Sequence, residues 1–212
     1  MCRRLGGLSR KSLESSISDS CMSKGEYMEN ERMDTTVLGL IFIALASLSS
    51  SLESLMWYLV GEDAYGLTDI DVYYLLMVCA VFILFAAIGA YKNNSHFGAV
   101  FFALVSAAFF FNGWTTGYLY TNISLAVMLL VLLIWAFSAK KPMMLSLLIL
   151  MTALTLLFTG VFNSEWLINT EATIWDLLAA VTGFFIFGIA VYLAGSSVKD
   201  GLEVFKGENG EE

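Results

Sequence analysis

The sequence predicts an all-α membrane protein with six transmembrane helices and both termini in the cytosol. Its composition is the first reason. Of 212 residues, 58% are hydrophobic and 14% charged, with a mean hydropathy of +0.75. A soluble domain carries about 25% charged residues to cover its surface, so this chain is not built to meet water on all sides. The second reason is length. The apolar residues gather into six runs of roughly 20, enough to cross a hydrocarbon core about 30 Å thick. One proline (Pro142) and little charge within the runs favour helices over barrel strands, in which lipid-facing residues alternate with polar ones.

Charge placement is the third reason. The 11 Lys and Arg fall in the N-terminal tail, at Lys92, at Lys140 and Lys141, and at Lys199 and Lys206. With six crossings every one lies on the same side, and the three loops on the other side hold none. The positive-inside rule then sets both termini in the cytosol.

In chain order, residues 1–34 are polar and Ser-rich, with no persistent helical stripe and no apolar h-region after the early arginines. They read as a disordered cytosolic tail and not as a signal peptide. Translation starting at Met22, Met28 or Met33 is equally open. Residues 35–198 form the transmembrane domain. Run one is Val37–Val60, with Glu53 and several serines, and an acidic linker Gly61–Asp71 follows. Run two, Val72–Tyr91, leads through the elbow Lys92–His96 into run three, Phe97–Phe111. Run four, Tyr118–Ser138, ends at Lys140-Lys141-Pro142. Run five, Pro142–Phe162, has the proline in its first turn, where a missing N–H costs nothing. A second acidic linker, Asn163–Thr173, precedes run six, Ile174–Ser196. Residues 199–212 form an acidic cytosolic tail. Trp57, Tyr58, Tyr118, Tyr120, Trp166 and Trp175 fall near the outer interface, as an aromatic belt does.

No catalytic constellation stands out, so the chain does not read as an enzyme, and no metal or cofactor is expected. Cys2, Cys21 and Cys79 have neither disulfide nor zinc spacing, and His96, the only histidine, sits in an elbow without a carboxylate or thiol at ligand spacing. No phosphate-binding glycine loop occurs, and no nucleic-acid partner is expected. Asn93 and Asn122 head N-x-S sequons, to which the topology gives no weight. Ionisable groups inside runs are the places to look, because burying them is costly. Glu53 reads either as a proton-coupling or pore-mouth carboxylate, or as a group reaching headgroup water. Asp176, at the start of run six, suits a helix N-terminus. Hydroxyl stripes (Ser47, Ser50, Ser51, Ser54; Thr152, Thr155, Thr159) read as close helix contacts or as the lining of a polar path. Ala179-x-x-x-Gly183 and Ala190-x-x-x-Ala194 read as close contacts.

A run ending in Tyr91-Lys92, a short Asn-containing turn, and Phe97-Gly98 opening an aromatic-rich helix together resemble the acetate uptake transporter family. Leu154-x-Leu156-Leu157-x-x-Gly160, Gly183 and Ala190-x-Tyr192-Leu193-Ala194 extend the resemblance over about Leu38 to Val204. The chain departs from the family at its first helix, where Asp34-Thr35-Thr36-Val37 stands in place of a proline-containing signature. The resemblance implies a homo-oligomer, a hexamer with one path per subunit, and an apolar constriction near Phe42 or Ile43. The family's run-three tyrosine would fall near Val105. The function expected is a channel or proton-coupled transporter for a small monocarboxylate such as acetate, in the plasma membrane. Glu53 would couple protons, and Ser50, Ser106, Thr152 and Thr155 would line the path. The outer loops, with Glu62, Asp63, Asp69, Asp71, Glu165 and Glu171 and no basic residue, favour an alternative: ammonium or a small neutral amide. A non-transporting membrane interaction protein is the further alternative.

Overall fold

Hydrocarbon offers no hydrogen bonds, so a chain crossing it must pair its backbone internally, and helices do so segment by segment. The structure, a computed structural model, describes residues 10–60, 69–115, 119–162 and 174–200, with side chains described over 35–60, 72–114, 120–160 and 174–198. Six helices account for them: α1 (Arg10–Val60), α2 (Asp69–Lys92), α3 (His96–Thr115), α4 (Leu119–Ser138), α5 (Met143–Phe162) and α6 (Ile174–Asp200). Each contains a stretch long and apolar enough to cross a membrane, and no strand occurs among the described residues. In α1 that stretch begins at Thr35, while the helix itself reaches back to Arg10 over much of the segment read as a disordered tail. Residues 10–34 hold no proline and a single glycine, so nothing in them breaks a helix even without an apolar stripe. Most residues of both acidic linkers, Tyr118, Trp166 and the end of the C-terminal tail lie outside the described residues.

The α2–α3 and α4–α5 elbows are the same device. At the first, the Ser95 N–H donates to the Ala90 carbonyl (2.9 Å) and the Asn94 N–H to the Tyr91 carbonyl (3.0 Å), with Asn94 at a φ of 56°. At the second, Lys141 donates to Ala136 (3.0 Å) and Lys140 to Phe137 (3.2 Å), with Lys140 at a φ of 49°. This is the Schellman pairing, in which one left-handed residue returns two N–H groups to the orphan carbonyls of the helix end. The Pro142 carbonyl receives the N–H groups of Leu145 and Ser146 (3.0 and 3.2 Å). Pro142 therefore caps α5 just before its first turn, where its missing N–H is still not needed. The two elbows lie side by side: the Lys141 ammonium sits 5.7 Å from the ring centre of Phe97, which also meets Trp135 edge-on at 5.3 Å.

Each helix packs against its neighbours in sequence and α6 returns to α1, so the six form a closed circuit. The seam between α3 and α4 is the sparsest. Six cylinders about 10 Å across in a regular ring leave a central gap about one helix wide, which side chains must fill. One buried cluster does so, drawing Leu40, Ile83, Phe101, Leu129, Leu148 and Leu193 from the six helices in turn. Bulk is concentrated in the half nearest the elbows, where Phe97, Phe101, Phe102, Leu145 and Ile149 are also fully buried. The far half buries smaller and more polar residues, among them Ala46, Ser47, Ser51, Ala108, Asn122, Ala179 and Thr182. The outside of the ring is apolar: Val81, Phe85, Ile134, Phe137, Phe185 and Val191 are all exposed. That arrangement suits lipid as solvent.

Two glycines mark where helices meet most closely. Ala179 and Gly183 are buried in α6, and a Cβ at Gly183 would collide with the Ser51 hydroxyl of α1. At Gly39 a Cβ would lie 2.6 Å from the Phe102 ring and 2.7 Å from the Ala86 methyl, at a three-helix junction. Gly39→Val is therefore expected to destabilise the fold by about 1–3 kcal/mol. Gly188→Ala, whose added methyl meets nothing within 4 Å, should leave stability unchanged or slightly raised. Thermal unfolding in detergent micelles, run on both variants, checks the pair.

Candidate functional site

Inside a bundle, a polar group is free for a solute only if the protein has not already used it. Most hydroxyls of the ring are used. Ser47 donates to the Ile43 carbonyl (2.6 Å), Ser51 to Ser47 (2.6 Å) and Thr152 to Leu148 (2.8 Å), each one turn back in its own helix. Ser106 donates across a seam to the Ala80 carbonyl of α2 (2.8 Å). Thr155 donates to the Thr182 hydroxyl (2.8 Å), which in turn faces the Leu178 carbonyl (2.8 Å), joining α5 to α6. These bonds hold helices together, the role that small hydroxyl residues commonly have in membrane bundles.

Among the described residues two buried side-chain atoms remain without a partner: the Asn122 side-chain oxygen and the Ser146 hydroxyl. Asn122 is 0% exposed and belongs to α4; across the sparse α3–α4 seam its side-chain nitrogen donates to the Asn112 side-chain oxygen at 3.2 Å. Asn112 is itself oriented, since its nitrogen donates to the Ala108 carbonyl at 2.8 Å. A backbone carbonyl accepts only from a donor, so this bond turns the Asn112 oxygen toward Asn122. Asn122 must then meet it with nitrogen, which leaves its own oxygen over. An unpaired buried acceptor costs about 1–3 kcal/mol, a cost that a bound donor removes. Counting 1.5 Å per residue from the elbow ends of α3 and α4, both asparagines lie about 24 Å away, in the far half. Ser146, 3% exposed, stands in the first turns of α5 at the elbow-ward edge of the apolar plug.

The residues singled out from the sequence are spread around the ring. Glu53 and Ser50 are half-buried on α1, in the far half. Phe42 does not project into the ring's centre; it stacks on Phe82 of α2 (ring centres 4.3 Å apart, 6° between planes), while its neighbour Ile43 is fully buried. Val105 lies in the core. Ser106, Thr152 and Thr155 are occupied as described above, so only the last reaches another of the ring's hydroxyls. Phe97 and Gly98 are buried at the start of α3 and Gly160 in α5, whereas Tyr192 is exposed on the outside of α6. His96 is exposed, edge-on to Tyr91 at 6.0 Å. Asp176 is buried in the first turn of α6. Among the described residues no three His, Cys, Asp or Glu gather as metal ligands would.

Sequence reasoning missed the asparagine pair. Run three, read as Phe97–Phe111, stops one residue short of Asn112, and Asn122 heads a sequon, yet each is an amide inside an apolar helix, near the facing ends of α3 and α4. That symmetry was the available signal. No protein-family model, no curated protein and no solved structure matches the chain.

Ser106→Ala and Thr155→Val each remove one interhelical bond of a kind worth about 0.6 kcal/mol in membrane bundles. Each is expected to lower thermal stability in micelles by about that amount. Their effects should add, because the bonds belong to different seams.

Proposed function

We propose that this chain is a membrane channel or transporter for a small polar solute that moves along the inside of the six-helix ring. One observation carries the reading: an apolar plug is flanked by buried polar atoms, Asn122 on one side and Ser146 on the other, that the protein leaves unpaired. A plug of this kind holds back water and ions, while polar atoms beside it replace part of a solute's hydration. A bundle whose helices served only to pack together would be at least as stable with apolar side chains at Ser146 and at both members of the Asn112–Asn122 pair.

A small monocarboxylate such as acetate is the first candidate, in keeping with the resemblance to the acetate uptake transporters. In this reading the lysine-bearing elbows face the cytosol, both termini are cytosolic, and the protein works in the plasma membrane as a homo-oligomer, a hexamer by that resemblance. Glu53, half-buried in the far half, is the proposed proton-coupling group. The second reading, ammonium or a small neutral amide, is favoured by the acidic outer loops and by the unpaired acceptor on Asn122, which calls for a donor.

Labelled acetate uptake into proteoliposomes tests the proposal. The expected result is saturable uptake that an inward proton gradient raises, and that Glu53→Gln lowers to the gradient-independent level. Uptake no faster than in empty vesicles, with ammonium or acetamide faster, would select the second reading. Orientation is checked separately: a cysteine placed at Lys92 in intact cells should resist a membrane-impermeant thiol reagent and react once the membrane is opened.

A further inference from the structure

Three features of the bundle invite a further reading. One is an apolar groove between α1 and α6, lined by Ile41, Leu45, Phe187 and Val191, and nothing shows what would cover it. Another is the buried carboxyl of Asp176, which already has a partner. The third is the Asn112–Asn122 pair, and it goes furthest.

We infer that the Asn112–Asn122 pair recognises the solute, and that it accepts a hydrogen bond from a neutral carbonyl compound bearing its own N–H or O–H: a primary amide or a protonated carboxylic acid. The inference rests on the proposal that the ring conducts a solute, and it states in which chemical form the solute crosses. The reasoning is one of sign. The Ala108 carbonyl fixes Asn112, and Asn112 fixes Asn122, so the Asn122 nitrogen already has a partner and the atom left with none is its oxygen. A carboxylate carries acceptors only and would leave that oxygen unpaired. The neutral acid has one O–H to donate, and an amide has two N–H groups. Acetate would therefore pass as acetic acid, and each molecule would bring its own proton without a titrating side chain at this point.

The position agrees with such a role. Asn122 is fully buried, so the form described is closed around it. The bond between the two asparagines spans the sparsest seam of the ring, where separation disturbs the fewest contacts. A donor arriving there satisfies the acceptor that the closed form leaves unpaired.

The test uses the purified full chain in proteoliposomes and follows acetamide entry by stopped-flow light scattering, against empty vesicles. Wild type should accelerate acetamide and not its donor-free analogue N,N-dimethylacetamide, and should carry acetate at acidic but not at neutral pH. Asn122→Leu should reduce acetamide flux about tenfold, the worth of one hydrogen bond to a buried acceptor. Its thermal midpoint should fall no further than that of Thr155→Val, which likewise loses one interhelical bond, because the carbonyl it also removes has no protein partner. Equal acceleration of the donor-free amide, or equal acetate flux at both pH values, overturns the inference even if the variant does not fold. Wild-type flux in Asn122→Leu overturns it too and leaves the permeation reading standing. A lost flux accompanied by a midpoint far below that of Thr155→Val overturns it as well, since the asparagine would then be structural. No acceleration of any solute by wild type removes the permeation reading, and this inference with it.

Discussion

Six helices in a closed circuit cannot meet along a common axis, and whatever fills the gap decides what the molecule can be. Here the filling is uneven. Phenylalanines from α3 and leucines from α4, α5 and α6 occupy the elbow half, while alanine, serine, threonine and asparagine occupy the other. Helices approach closely in both halves, at Gly39 against Phe102 and Ala86 near the elbows and most tightly where Gly183 meets Ser51 in the far half. The interior rests on this gradient. Because hydrocarbon surrounds the ring, apolar burial gives little net drive, and close packing together with hydrogen bonds across seams must hold the circuit. Ser106 on Ala80 and Thr155 on Thr182 are bonds of that kind.

Each polar group inside such a ring faces the same alternative. It is either returned to the protein, as Ser47, Ser51 and Thr152 return their hydroxyls to the preceding turn, or it stays available. The chain returns nearly all of them. That economy makes the amide of Asn122 conspicuous, because a purely structural bundle would be at least as stable with apolar side chains at both Asn112 and Asn122. Its orientation also follows from a backbone carbonyl two bonds away, so the protein controls which end of the amide is presented.

The helix count and order were legible in the sequence because runs of roughly 20 apolar residues and their charged ends are one-dimensional signals. Close contacts at Ala179 and Gly183 were also legible, since small residues four apart share a helix face. The ring interior was not. A helix that meets lipid on one side and apolar core on the other shows no hydrophobic stripe, so the sequence cannot say which face turns inward. That is why the resemblance places the constriction near Phe42 or Ile43 without choosing between them; Ile43 is fully buried, and Phe42 is half-buried and lies against Phe82. Likewise a sequence shows the hydroxyls of Ser106 and Thr155 without showing what they bond. The asparagine pair needed the fold: two amides ten residues apart matter only once α3 and α4 set them opposite each other.

The most extensive helix contact in the molecule joins the first helix to the last. The two elbows, each capped by its own backbone, allow α2–α3 and α4–α5 to enter a bilayer as ready-made hairpins while the ribosome is still working. For α1 the situation differs: the face carrying Ser47 and Ser51 stays without its partner until Ile174 and the residues after it have been made. Closing the circuit must therefore follow the synthesis of α6, and α1 waits in the membrane, or with a helper, for the whole of the intervening chain.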